Sequence, residues 1–382
     1  MELYLHIPFC ARKCRYCDFA SYAGHEADMS AYVDAVVQEA QARAKQLGTQ
    51  AVETAFIGGG TPSLLPAPQL NRLLDGVGRC FPVQPGAEFT SEANPGTLTR
   101  PWLDAAVSHG VNRLSLGMQA YQPELLAMLG RIHDFRQVER SVALAREAGI
   151  SNISLDLMFG LPGQRADQWR ETLRAALSLH PQHLSCYGLI PEEGTPLKAD
   201  LDAGRLSLPD EDTERAMYDT ALSMLAEAGF IQYEISNFAL PGHACRHNLG
   251  YWRQVPYLGL GAAASSMLPA GGSAAYTRET NPPGLSDYME MVRAGAWNLR
   301  EQAGVSPAEA RFETMMLGLR TTEGVSEQAF EAMHGMTMEH CYGPRLRALE
   351  MQGLLCRTPG AWRLTRRGMD VQNAVLVELM DP

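Results

Sequence analysis

Leu3-Tyr4-Leu5-His6-Ile7-Pro8-Phe9-Cys10-Ala11-Arg12-Lys13-Cys14-Arg15-Tyr16-Cys17 is the stretch on which the fold turns. Residues 3–7 form an apolar run of strand length that stops at a proline, and the loop behind it carries three thiols within eight residues. Three thiolates on one short loop converge on one inorganic centre, and Arg12, Lys13 and Arg15 bring positive charge that favours the thiolate form. A structural zinc site asks for a fourth protein ligand. His6 stands nearest, but no second CxxC and no HxxxH accompanies it. A 4Fe-4S cluster held by three cysteines leaves one iron open to an outside ligand, which suits chemistry more than scaffolding. The spacing therefore favours iron and sulfur, with zinc and then ordinary buried thiols as the other readings.

Outward from this strand the chain alternates short β-branched or apolar runs with helical periodicity. Strands are predicted at residues 3–7, 53–57, 88–92, 112–116, 152–158 and 183–189, and helices at 30–47, 69–81, 101–109, 135–148 and 167–179. Thr99 reads as an N-cap with Pro101 in the first turn, and Gly110 and Gly149 close two of the helices. Six strand-helix units in succession imply parallel strands with right-handed crossovers. Six rather than eight suggests a partial barrel, with a doubly wound sheet as the alternative that periodicity leaves open. The polar signals favour the barrel: the cysteine loop follows strand one and Gly58 to Thr61 follow strand two. Glu92 ends strand three, Gln119 follows strand four and Asp156 sits in strand five. All lie at or near carboxyl ends, where parallel barrels build their sites. Gly58-Gly59-Gly60-Thr61-Pro62 lets main chain approach a ligand closely and offer N–H donors, although a glycine run alone is more often a tight turn. Glu92, Gln119 and Asp156 are suited to holding an amine and a ribose.

After Leu208 the pattern changes. Residues 209–229 read as a long amphipathic helix, 232–238 as a strand, 241–261 as loop, and the stretch to Gly284 is rich in Gly, Ala, Ser and Pro. Helices at 307–319, 327–333 and 338–352 lead to a hairpin over 354–364 that turns at Pro359-Gly360, and a last helix spans 366–379. The expected class is α/β: a partial (β/α)6 barrel over 1–230, a barrel extension and connecting segment over 231–300, and a small winged-helix-like α+β domain over 301–382.

The 382 residues are 46% hydrophobic and 20% charged, with a net charge of -11, enough chain for one large core and a small appended domain. No apolar run reaches the roughly 18 to 20 residues of a spanning helix, and the N-terminus has no basic region followed by a long apolar stretch. The only lysines are Lys13, Lys45 and Lys198, and none completes a GxxxxGK loop, which excludes a P-loop hydrolase. From Arg300 onward nine Arg and Lys face eleven Asp and Glu, so no nucleic-acid partner is expected despite the winged-helix pattern. Cys80, Cys186, Cys245, Cys341 and Cys356 are scattered singly, which is not a disulfide framework, and a cytoplasmic location is expected.

These residues together resemble a known family. Tyr4 to Cys10, the CxxxCxxC, Gly58 to Ser63, Ser91-Glu92-Ala93-Asn94-Pro95, Ser115-Leu116-Gly117-Met118-Gln119 and Asp156-Leu157-Met158-Phe159-Gly160-Leu161-Pro162 are similar to radical S-adenosylmethionine (SAM) proteins of the coproporphyrinogen-oxidase-like group. The resemblance runs over nearly the whole chain. It implies a radical SAM barrel with a 4Fe-4S cluster on Cys10, Cys14 and Cys17, and S-adenosyl-L-methionine bound to the fourth iron. Tyr4, the Tyr16 backbone, Gly59, Gly60 and Thr61 would line the methionine end. Glu92, Gln119, Arg131 and Asp156 would surround the rest. Cleavage to a 5'-deoxyadenosyl radical is chemistry that the cofactor carries, while the protein binds and shields it.

Two features separate branches of that group. The coproporphyrinogen III dehydrogenases have a further cysteine where this chain has Phe19, and an N-terminal extension where Tyr4 here already belongs to the first strand. His247-Asn248-Leu249-Gly250-Tyr251-Trp252 is instead similar to the HNxxYW signature of the HemW-type haem chaperones, which bind haem and pass it to apo-proteins. The resemblance implies haem as cargo, with His247 as a candidate axial ligand, Cys245 as a second candidate, and Tyr251 and Trp252 as aromatic surface. In the plainer reading His247 and Asn248 satisfy loop carbonyls while the aromatics pack on the barrel. The expected partners are haem, apo-haemoproteins including respiratory and membrane-associated ones, and a second copy of the chain. The alternative function is an oxygen-independent coproporphyrinogen III dehydrogenase, which decarboxylates two propionates to vinyl groups. A structural zinc protein or interaction module is the third class.

Overall fold

Period-two alternation decides the barrel. In β1 (Glu2–Ile7) Leu3, Leu5 and Ile7 are buried against the helices, while Tyr4 faces inward. The pattern recurs in β2 (Val52–Gly59), β3 (Val83–Ala93), β4 (Arg113–Gln119), β5 (Asn152–Phe159) and β6 (His183–Gly188). Tyr4, Phe56, Glu92, Ser115, Asp156 and Ser185, one from each strand, line a single interior cavity. The next residue along each strand, Leu5, Ile57, Ala93, Leu116, Leu157 and Cys186, belongs to the hydrophobic core outside it. The structure is a computed structural model and describes residues 1–48, 50–270 and 273–380.

β1 to β6 pair in chain order and all in parallel. A doubly wound sheet reverses its strand order at a switch point; this one does not, so the partial barrel is the fold. Its rim stays open because other strands extend both edges. Beyond β1 lie Tyr257–Leu260, Ser265–Pro269, Tyr276–Thr280 and Glu301–Val305; beyond β6 lie Asn237–Ala239 and Ile231–Gln232. The outer helices are Met29–Leu47, Ala67–Cys80, Arg100–Ser108, Phe135–Glu147 and Ala166–Ser178, as the periodicity predicts. Thr99 caps its helix by accepting from the Trp102 N–H. Gly110 and Gly149 have φ of 92° and 99°, the left-handed region that a helix stop uses.

The region after Leu208 departs from expectation. The single strand at 232–238 is two short antiparallel strands, because buried Glu234 organises a turn between them by accepting from the Ser236 N–H at 2.8 Å and Asn237 Nδ2 at 2.6 Å. The loop-rich 241–261 contains the Arg246–Trp252 helix and the Tyr257–Leu260 strand, and the small-residue segment that follows contributes Ser265–Pro269 and Tyr276–Thr280. Residues 271 and 272 of that segment lie outside the described residues. Small residues are poor strand formers by propensity, but pairing requires them here: a Cβ on Gly259 would fall 2.1 Å from the Ser265 carbonyl oxygen. Short helices at Pro123–Met128 and Pro196–Asp202 fall below the length at which periodicity shows.

Helix α1 (Met29–Leu47) is bolted to this extension by a buried ion network. Glu39 accepts from the Gly261 N–H at 2.9 Å and from Asn281 Nδ2, Tyr288 OH and Arg300 Nη2, each at 2.8 Å. Arg43 pairs with Glu279 one turn further on.

At the C-terminus the helices Pro307–Gly318, Glu327–His334 and Met338–Met351 pack on a small sheet of Val325–Ser326, Ala361–Leu364 and Leu355–Thr358 around their own core of Met315, Phe330, Leu346, Trp362 and Leu379. This is the winged-helix-like α+β arrangement, with the last helix broken into Arg366–Asp370 and Gln372–Leu379. Among the described residues no helix is long and apolar enough to cross a membrane.

Candidate functional site

Cys10, Cys14, Cys17, Tyr16, Gly59, Gly60, Glu92, Gln119, Arg131 and Asp156 line one cavity of about 420 Å³ at the carboxyl ends of the strands. Three further candidates stand around it. Thr61 donates to Cys10 Sγ at 3.6 Å, Tyr4 lines the adjoining cavities, and His247 lies deeper inside the barrel. The glycine loop acts differently from expectation. The Gly60 and Thr61 N–H groups are spent on the Ile7 and Phe9 carbonyls at 2.8 and 2.7 Å, and the Gly59 N–H on Glu92 Oε2 at 3.0 Å. The loop therefore clamps the root of the cysteine loop and gives a ligand close main-chain approach instead of free donors. Both glycines are required: a Cβ would lie 2.5 Å from the His6 ring at Gly59 and 2.7 Å from the Phe9 carbonyl oxygen at Gly60.

The positive charge at the thiols also comes from elsewhere. Arg15 is turned to Asp200 and Lys13 donates to the Phe19 carbonyl at 3.0 Å. Arg131 is the cation that reaches a thiol, with Nη1 3.5 Å from Cys14 Sγ, while its Nη2 is held by Asn94 Oδ1 and the Gly117 carbonyl, each at 2.7 Å. Burial pushes the Cys10 and Cys17 thiols up, against the expectation that loop cations lower them. Among the described residues no group of three His, Cys, Asp or Glu side chains is set to hold a metal ion, and the three thiols line one opening.

Gln119 takes a left-handed φ of 63° where the β4–β5 register slips, a bulge that re-aims its side chain into the cavity. Glu92 and Asp156 are buried carboxyls. Burial, reinforced by Asp156, pushes Glu92 up to about 7; burial also raises Asp156, opposed by hydrogen bonds from Ser185 and Ser115. Asn94 and Ser115 also line this cavity; both lie inside the strand-end motifs, where polar residues on the inward period are the signal.

The His247 ring is only 1% exposed. Its Nδ1 lies 2.8 Å from Thr54 Oγ1, its Nε2 lies 3.0 Å from Tyr251 OH, and the ring stacks on Phe56. Burial, with Arg113 nearby, lowers its pKa to about 3, so it is neutral. Cys245 is buried with Sγ 3.4 Å from Glu88 Oε1, and burial pushes its thiol up to about 12. Tyr251 and Trp252 do face open space. With Tyr4, His6, Phe19, Tyr257 and Arg278 they line a cleft of about 580 Å³. Phe19, Gly59 and Glu92 belong to both this cleft and the thiol cavity.

Residues 4–176 match the family model for the radical SAM superfamily, and residues 305–371 match that for the HemN C-terminal domain. The chain is 38% identical to the heme chaperone HemW of Bacillus subtilis, over 97% of each chain. The chain belongs to the HemW family of radical SAM proteins. A second HemW, from Escherichia coli, is 36% identical over 98% of this chain and 97% of its own. A mitochondrial relative from Bos taurus, radical S-adenosyl methionine domain-containing protein 1, is 34% identical over 99% of this chain and 87% of its own. Among solved structures, coproporphyrinogen III oxidase (HemN) from Escherichia coli superposes with a TM-score of 0.84 at 22% identity, covering 99% of this chain and 89% of that one, a likeness of fold alone.

The superfamily implies a 4Fe-4S cluster and S-adenosylmethionine, and the residues in this member of the HemW family fit both. Three thiols open onto a cavity of small-molecule size, main chain at Gly59 and Gly60 leaves no room for side chains, and two buried carboxyls face the same space. The raised Glu92 pKa has a consequence for the ligand-free protein. Below about pH 4.5 the carboxyl is protonated both folded and unfolded; as pH rises toward 7 the unfolded chain ionises first, so the folded state keeps an extra proton and loses stability. Glu92→Gln is expected to remove this slope, on the order of 1–3 kcal/mol across that interval, from urea midpoints measured against pH. An unchanged slope would assign it to other carboxyls.

Proposed function

We propose that this protein is a haem chaperone that takes up haem and delivers it to apo-haemoproteins, respiratory and membrane-associated ones among them. The observation that carries the reading is the aromatic cleft. Tyr4, His6, Phe19, Tyr251, Trp252 and Tyr257 put six rings on it, its volume of about 580 Å³ suits a macrocycle, and it adjoins the thiol cavity through Phe19, Gly59 and Glu92. Tyr251 and Trp252 of the HNLGYW segment line this cleft with His247 behind Tyr251, and the HemW name of the full-length relatives supports the assignment.

In the neighbouring cavity Cys10, Cys14 and Cys17 would hold the 4Fe-4S cluster, leaving one iron for S-adenosylmethionine. When bound and reduced, this pair supplies a 5'-deoxyadenosyl radical. Tyr4, Tyr16, Gly59, Gly60 and Thr61 would line the methionine end. Glu92, Gln119, Arg131 and Asp156 would surround the rest of the ligand, the two carboxyls as acceptors for its amine and hydroxyls, and Arg131 would also offset thiolate charge at Cys14. In domain terms, 1–230 is the barrel, 231–300 carries the haem signature and 301–382 is the winged-helix-like domain. We place the protein in the cytoplasm, where these thiols stay reduced, and expect a homodimer and no nucleic-acid partner.

One anaerobic comparison tests the reading against an oxygen-independent coproporphyrinogen III dehydrogenase. The reconstituted protein is given coproporphyrinogen III, S-adenosylmethionine and reductant, and separately haem. Stoichiometric haem uptake without turnover is expected; catalytic formation of protoporphyrinogen would overturn the chaperone assignment.

A further inference from the structure

We infer that Tyr251, rather than His247, binds the haem iron, and that His247 stands behind it as a positioning residue. The inference rests on the haem reading above and concerns which atom meets the metal. An axial ligand needs a lone pair aimed at open space. The His247 nitrogens have none, since Nδ1 is engaged by Thr54 at 2.8 Å and Nε2 by Tyr251 at 3.0 Å, and the ring is stacked on Phe56 at 5.3 Å between centroids. Tyr251 lies one helical turn on, and its side chain borders both the aromatic cleft and the interior cavity. A hydroxyl oxygen has two lone pairs and one proton, so its bond to His247 leaves capacity for a metal. A tyrosine oxygen is an established donor to haem iron.

The surrounding residues hold that oxygen in place. Glu88 accepts from the Arg246 and His247 N–H groups, each at 3.0 Å, and so anchors the start of the helix. Gly250 lets the helix lie flat on Glu2, since a Cβ there would fall 1.8 Å from Glu2 Oε1. Glu2 Oε1 lies 3.1 Å from Thr54 Oγ1, which completes a chain Glu2–Thr54–His247–Tyr251 from the base of the barrel to the cleft. In the binding step the ferric iron–oxygen bond forms as the Tyr251 O–H bond breaks. The proton leaves to water in the cleft, and no electron is transferred. Burial pushes the Glu2 carboxyl up to about 8, so protonated Glu2 donates to Thr54, Thr54 donates to His247 Nδ1, and neutral His247 donates from Nε2 to the phenolate.

The test is a titration of ferric haem into the unaltered protein and into Tyr251→Phe, Tyr251→His and His247→Ala. It is read by absorbance and by resonance Raman bands of an iron–phenolate bond. The unaltered protein should show those bands. Tyr251→Phe should lose them and raise Kd at least about tenfold. Tyr251→His should replace them with an imidazole signature. His247→Ala should keep them, shifted by loss of the donor to the phenolate. Cluster iron and sulfide, measured on each sample, report that the variants are folded. Unchanged ferric spectra in Tyr251→Phe, or loss of the unaltered spectrum in His247→Ala alone, would overturn the assignment. If the unaltered protein takes up no haem, the haem reading fails first and the ligand assignment falls with it; uptake without iron–phenolate bands rejects the ligand assignment alone.

Discussion

Cys14→Ser, reconstituted anaerobically with iron and sulfide, is expected to hold less than about a tenth of the roughly four irons expected of the unaltered chain. Three cysteine ligands leave no redundancy, and the loop offers no substitute. His6 is tied up by Tyr4 OH at 3.0 Å and the Ala20 carbonyl at 2.8 Å, and Thr61 Oγ1 already receives a hydrogen bond from Asn94 Nδ2 at 2.7 Å. Cys14 is also the thiol that Arg131 touches, so the change leaves a buried guanidinium facing a hydroxyl that supplies no thiolate charge. Iron and sulfide analysis with the visible spectrum reads the result. Full iron and sulfide in Cys14→Ser would remove that residue from the ligand set.

Glu39→Ala should destabilise the protein by about 3–5 kcal/mol in urea unfolding, because it breaks one side of a fully buried ion pair and leaves the other charged. The Arg300 side chain is almost as deeply buried as Glu39, and its remaining contacts are Asn281 Oδ1 at 2.7 Å and the face of Trp297. The same substitution strands the Gly261 N–H and Tyr288 OH. Since these groups join α1 to the strands that carry the cleft, Glu39→Gln, which keeps an acceptor, should recover part of the loss. A change below about 1 kcal/mol for Glu39→Ala would mean that water replaces the carboxylate and that the network does not hold the extension in place.

Much of the barrel and its rim was legible in the order of residues. The three thiols share a loop, and Glu92, Gln119 and Asp156 sit at strand ends on the inward period, so local spacing already places them at one mouth. Other features were hidden because they are relations between distant segments. Arg131 reaches Cys14 across 117 positions of chain, and the local cations Arg15 and Lys13 turn to Asp200 and to a loop carbonyl. The strands between Tyr257 and Thr280 carry Gly, Ala and Ser because neighbouring backbones press on them, and a propensity reading takes such a stretch for loop.

The three-thiol loop, the parallel strand-helix order and the family could be read along the chain, since each is encoded in residues close together in sequence. What the HNLGYW segment presents to open space is set by packing. His247 is a plausible metal donor as a letter in a motif, but folding packs Phe56 against its ring and spends both nitrogens on Thr54 and Tyr251, which leaves the phenol at the cleft. Burial and hydrogen-bond satisfaction are properties of the packed molecule, and no spacing rule carries them.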